Sequence, residues 1–138
     1  MEADHHVALV DAWLQRAATD ASPPLLLRRF EVAFGALWLR TRTTLGDVTL
    51  TAIADRVLYN AAEQFPVFAG LRVDADAGVH TKEIRVAVGA QSNAELERAI
   101  RFVLIEFLSV IGNLTAEILT RDLHAALASV EYQGEDQS

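Results

Sequence analysis

Apolar residues recur every three or four positions over most of the chain, which is the period of a helix with one buried face. The longest run of this kind follows residue 92 and predicts a long central helix; its apolar positions are Leu96, Ile100, Val103, Phe107, Val110 and Leu114. Shorter runs predict a first helix over residues 4–19, a second from Pro23 and a third that ends near Phe65. We therefore predict a mainly α-helical protein with five or six helices.

Residues with specific backbone preferences mark where these helices begin and end. Ser22 is placed to accept a hydrogen bond from the first turn of the second helix, and Gly46 is suited to the end of that helix. Asp47 or Thr49 could cap the third helix, and Pro66 disfavours helical geometry at the residue before it. These signals predict short connections between the first three helices.

The period changes to two between residues 70 and 89, which indicates strands. Leu71, Val73 and Ala75 alternate with other residues, and so do Ile84, Val86 and Val88; residues 76–81 between them contain Asp and Gly. We predict a two-stranded β-hairpin inserted before the central helix. Two strands are marginal alone, so the hairpin should pack on helices.

The length of the central helix limits its course. A helix over residues 93–131 would be about 58 Å long, whereas a domain of this size is about 37 Å across. The helix should therefore break, at Gly112 or at Thr120, or protrude toward a partner. We expect one helical domain over residues 1–132 and a flexible polar tail over residues 133–138.

Composition and charge narrow the function classes. The 138 residues include no Cys, which excludes disulfides and thiol chemistry within this sequence. There are 12 basic and 19 acidic residues, for a net charge of −7, and this balance gives no attraction to nucleic acid. We find neither a signal peptide nor a transmembrane stretch. We therefore expect a cytoplasmic protein that binds neither nucleic acid nor membranes.

Catalytic and cofactor patterns are missing from the sequence. The four histidines, His5, His6, His80 and His124, are not spaced as ligand pairs on one helix, so we expect them to be solvent-exposed. No Gly-x-Ser-x-Gly, Gly-x-Gly-x-x-Gly or Gly-Lys-Ser/Thr motif occurs. We expect no metal or cofactor, no catalytic residue and no enzymatic activity.

The stretch of residues 45–68 contains Leu-Gly-Asp followed by Thr-Leu-Thr-Ala-Ile-Ala-Asp-Arg-Val. This part resembles the first helices of a TetR-type DNA-binding domain, and the resemblance implies a transcriptional regulator. A helix-turn-helix has a short turn between its helices, often with Gly. Residues 55–63 contain no Gly, so we favour an ordinary core helix here.

Two groups of residues on the central helix and beyond it are candidates for contacts. The apolar group, which would form an interface or a core seam, comprises Ile100, Val103, Phe107, Val110 and Leu114. The opposite polar stripe, which could contact a partner or line a cleft, comprises Glu106, Asn113, Glu117 and His124.

Our main functional hypothesis is a non-catalytic protein-interaction or signalling adaptor, homodimeric and with an unidentified protein partner. The second is a small-ligand sensor with an apolar pocket between helices two, three and the central helix, walled by Phe34, Trp38 and Tyr59. The third is the transcriptional regulator that the TetR-like stretch implies.

Overall fold

The computed structural model describes residues 2–74, 78–82, 84–85, 93–116 and 118–130. Within these residues the protein is mainly helical. Its helices are α1 (Glu2–Ala18), α2 (Pro23–Leu45), α3 (Asp47–Gln64), α4 (Asn93–Leu114) and α5 (Thr120–Ala128). A two-stranded hairpin of β1 (Arg72–Asp74) and β2 (Gly78–His80) lies before α4, so the predicted fold class is confirmed.

The connection between α2 and α3 is a single glycine. Ser22 accepts a hydrogen bond from the Leu25 amide at the start of α2, and Gly46 ends that helix with φ of 83°, as predicted. Gly46 also precedes the first residue of α3, and no side chain caps α3. The expected cap at Asp47 or Thr49 is therefore wrong, because both residues lie inside α3 and the N-cap position is occupied by Gly46, which has no side chain. Asp47 instead lies in the first turn, where the helix dipole favours a carboxylate.

Helix α3 is continuous from Asp47 to Gln64, and Pro66 follows as the first residue of a short 3-10 turn. No turn interrupts the helix in the TetR-like stretch. The ordinary core helix that we favoured there is confirmed.

The hairpin is present, but its second strand lies earlier than the alternation predicted. β2 occupies residues 78–80 and pairs antiparallel with β1, with Val73 opposite Val79. Residues 82, 84 and 85 are helical, and the Arg85 amide donates to the Thr81 carbonyl. The prediction of a strand from Ile84 is therefore wrong, while positions 86 and 88 lie outside the described residues.

A single carboxylate on α2 holds the end of the hairpin. Oε1 of Glu31 accepts hydrogen bonds from the amide and the hydroxyl of Thr81, both at 2.7 Å. Thr81 is fully buried, so both of its donors need an internal acceptor. These bonds connect the residue after β2 to α2 and end the extended segment there.

The core contains a set of aromatic rings centred on α2. Phe34 lies 4.9 Å from Phe107 of α4, and Phe30 lies 5.8 Å from Phe68, measured between ring centroids. All four rings are buried. Gly78 of β2 packs directly against this cluster. A Cβ built on it would lie only 2.9 Å from Cδ2 of Phe34, so a residue with a side chain would clash there.

The predicted break in the central helix occurs between the two candidate positions. α4 has 22 residues and is about 33 Å long, which fits within a domain of this size. Gly112 is still inside α4 and is buried, so a break there is wrong. The new helix starts at the second predicted position, since Thr120 is the first residue of α5 and Asp122 lies in its first turn. The expectation that Thr120 caps this helix is wrong, because Leu119 occupies the cap position and no side chain caps the helix. The expected tail over residues 133–138 lies outside the described residues.

Ion pairs connect the first and last helices to the centre. Nε of Arg101 on α4 lies 2.7 Å from Oδ1 of Asp11 on α1, and Arg40 on α2 lies 3.3 Å from Asp122 on α5. These pairs are partly exposed, so each contributes little stability. None of the helices within the described ranges combines the length and the apolarity needed to cross a membrane.

Candidate functional site

Over the part of the chain that the structure describes, no group of three or more His, Cys, Asp or Glu residues could hold a metal ion. Nε2 of His80 lies 2.7 Å from Oδ2 of Asp74 at the hairpin. Among the described residues, no serine or threonine hydroxyl hydrogen-bonds to His80, as a nucleophile activated by this pair would do.

Two histidines that are distant in sequence meet between α1 and α5. Nδ1 of His6 lies 2.8 Å from Nε2 of His124, and the two rings are nearly perpendicular at 83°. His6 is only 2% exposed, so the expectation of four solvent-exposed histidines is wrong for this residue. The sequence signal was present, because His6 is four positions before Val10, on the face of α1 that is buried.

The predicted apolar group on α4 separates into two parts. Ile100, Val103 and Phe107 are fully buried in the core. Val110 is half-buried at the surface, and Leu114 is 59% exposed at the end of the helix. The first part therefore lies inside the protomer, and the second is available for contact.

The predicted polar stripe lies on two helices rather than one. Glu106 is half-buried and Asn113 is exposed, both on α4. His124 lies on α5, where it contacts His6, and Glu117 lies outside the described residues. Because α4 ends before α5 begins, the regular spacing of these residues does not place them on a common helix face.

The aromatic residues expected to line a pocket are not brought together. Phe34 and Trp38 are fully buried in the core, whereas Tyr59 is 63% exposed. Tyr59 borders a surface hollow of about 710 Å³ between α3 and β1, and neither Phe34 nor Trp38 lines it.

Two further hollows lie between α3 and α4, with volumes of about 250 and 300 Å³, and Glu106 lines both. The helices run in opposite directions here, since Phe65 contacts Phe102 at one end and Ile53 lies beside Val110 at the other. We call this surface the α3–α4 face; its apolar members are Ile53, Val57, Phe65, Phe102, Ile105 and Val110. Except for Val57, which is nearly covered, each of these side chains is half-buried.

The charges around the α3–α4 face have different surroundings. Arg101 is hydrogen-bonded to Asp11, and this bond raises the pKa of Arg101 above its ordinary value. Arg98 and Glu106 also line the smaller hollow. Within the described ranges, neither makes an ion pair or a hydrogen bond from its side chain. A basic and an acidic group on one helix are thus available to a second molecule.

Phe65, Phe102 and Ile105 belong to this face but were not among the predicted contact residues. A signal for two of them exists in the sequence, because residues 99–111 are apolar on more than one side of the helix. For Phe65 the sequence predicted only that α3 ends near it. Its contact with Phe102 depends on how α3 and α4 pack together.

Comparison with known proteins adds no relative: no family model matches the chain, and neither a curated protein nor a solved structure matches it.

Proposed function

We propose that the protein is a non-catalytic interaction or signalling adaptor of the cytoplasm, and that it contacts its partner through the α3–α4 face. The observation that supports this function is the row of half-buried apolar side chains from Phe65 to Val110 between two helices. Contiguous exposed apolar surface that is bordered by polar groups is typical of protein-binding sites. Aromatic and Arg side chains, here Phe102 and Arg98, are also enriched at such interfaces.

The small-ligand sensor is the second candidate, and one observation favours it. The hollow beside Tyr59 has a volume of about 710 Å³, which is in the range of ligand sites. Its lining includes Asp55, Arg56 and Arg72 and the largely exposed Tyr59. Such sites normally enclose most of their ligand, so this shallow and partly polar hollow supports the sensor less well than the α3–α4 face supports the adaptor.

Photocrosslinking in the native cell tests the adaptor function. Benzoylphenylalanine would replace Phe102 on the face and, as a matched control, Leu39 on α2, which is 56% exposed. We expect a discrete crosslinked protein from position 102 and none from position 39. The same crosslink should disappear when Ile105→Arg is added, because a charge would then lie in the apolar row. Absence of any crosslink at position 102, or identical products from both positions, would contradict the proposal.

A further inference from the structure

We propose that a second copy of this chain occupies the α3–α4 face, with the two α4 helices antiparallel and Phe102 on the twofold axis. This inference rests on the proposed function, because it names the partner of the same face. It follows from the order of charged and aromatic residues along α4.

Arg98, Phe102 and Glu106 are spaced four residues apart, and all three line the same hollow. Four residues are slightly more than one helical turn, so these side chains follow one another along one side of α4. This side therefore presents a positive group, an aromatic ring and a negative group in that order.

A twofold axis makes this order self-complementary. In a twofold contact, if a residue of one chain contacts a second residue of the other chain, the same two residues also meet with the chains exchanged. With Phe102 against the partner's Phe102, Arg98 lies opposite the partner's Glu106, and Glu106 lies opposite the partner's Arg98. Both charged groups make no ion pair within the described part of their own protomer, so the dimer would supply a partner for each.

The apolar positions and the helix length agree with the same arrangement. The register that places Phe102 on the axis also places Val110 opposite the partner's Ala94, an exposed small residue near the start of α4. Phe102 is close to the midpoint of α4, which extends from Asn93 to Leu114. The two helices would thus overlap over residues 93–111, which is about 28 Å.

The remaining basic residue on this side of α4 does not disturb the pairing. Arg101 is bound to Asp11 of its own protomer through two hydrogen bonds of 2.7 and 3.4 Å. Its charge is therefore balanced locally.

Glu95 also lies on this side of α4, seven residues before Phe102. The register places it opposite the partner's Ser109, which is uncharged, so Arg98 and Glu106 are the charged residues that meet across the axis.

Charge reversal followed by sedimentation and light scattering tests the proposal. We expect the wild type to be dimeric at micromolar concentrations. The dimer contains two equivalent contacts between position 98 of one chain and position 106 of the other. Arg98→Glu should place two acidic side chains at each contact, and Glu106→Arg should place two basic side chains there. Each variant should weaken the dimer by at least roughly tenfold. Arg16→Glu on α1 is the matched control for Arg98→Glu, since Arg16 is exposed and lies outside the face; it makes the same change in net charge and should leave the dimer unchanged.

Mixing the two variants gives the sharpest result. In a mixed dimer, the acidic group introduced at position 98 of one chain would lie opposite the basic group introduced at position 106 of the other. R98E and E106R should therefore form a one-to-one dimer that is at least roughly tenfold tighter than the association of either variant with itself. The double variant R98E/E106R should dimerise with itself. Circular dichroism must show the wild-type helix content for each variant, so that a loss of association is not a loss of folding.

Several outcomes would overturn the inference. These are a monomeric wild type, dimers of R98E and E106R as tight as the wild type, or folded variants that fail to associate when mixed. A monomeric wild type with a crosslink from position 102 to a different protein would overturn the second copy and keep the adaptor function. Failure to crosslink at all would contradict the adaptor function itself.

Discussion

The two sides of α4 are similar in apolar character but differ in what covers them. The inner side contains Ile100, Val103 and Phe107, and the rest of the protomer buries all three completely. The outer side contains Phe102, Ile105 and Val110, which remain half-buried beside α3. An apolar sequence pattern thus shows which side chains are stabilised by burial. Whether they are buried within the protomer depends on which helices and strands pack against them.

The largest expected effect comes from a matched pair of substitutions on this helix. Phe107→Ala should lower the free energy of unfolding by about 3–5 kcal/mol, because it opens a cavity against Phe34 in a closed core. Phe102→Ala should cost only about 1–1.5 kcal/mol, because its ring is already partly in water. Chemical melts of both measure the difference; they are made in the Arg98→Glu background and at low protein concentration, so that association contributes little. Equal losses would show that the two sides are not distinct.

A substitution in the hairpin should destabilise the inner side of α4 by a smaller amount. Gly78 has φ of 92°, and a Cβ there would lie 2.9 Å from Phe34, which contacts Phe107. We expect Gly78→Ala to cost about 2–4 kcal/mol, from backbone strain and overpacking together. Gly46→Ala is the control, since φ is 83° but nothing lies within 4 Å of the added Cβ; it should cost only the backbone strain, about 1–3 kcal/mol. If thermal melts gave the same loss of stability for both variants, the aromatic rings would have rearranged to accommodate the added methyl group without cost.

The smallest expected effect on folding concerns the outer side. Glu106→Ala should change the stability of the protomer by no more than about 0.5 kcal/mol, because within the described residues its carboxylate makes no hydrogen bond or ion pair. The same change should weaken the dimer, since it removes the group opposite the partner's Arg98. Chemical melts and light scattering separate the two effects. If Glu106→Ala destabilised the protomer more than Phe107→Ala does, Glu106 would be a buried functional carboxylate and our assignment of the two sides would be wrong.

The sequence predicted those parts of the fold that depend on neighbouring residues. Ser22, Gly46 and Pro66 act within one turn of their own position, so both ends of α2 and the C-terminal end of α3 were found correctly. The second strand was misplaced because its end depends on Glu31, which is 50 residues away from Thr81 in the chain. No local pattern contains that information.

The candidate site was predicted only in part, for the same reason. The stripe from Leu96 to Leu114 identified the correct helix, but its strongest members turned out to be core. Phe65 and Phe102 form part of the face only because α3 and α4 lie side by side. Their pairing joins residues on separate helices, and single-helix periodicity does not detect it.

The contact between His6 and His124 has a consequence for synthesis on the ribosome. The two residues are 118 positions apart, and the chain emerges at about 5–20 residues per second. Roughly 6–24 s therefore pass between the incorporation of the two histidines. During that interval the apolar side of α1 has no α4 or α5 to pack against. The nascent chain is therefore exposed to chaperones and to aggregation until α5 has been made.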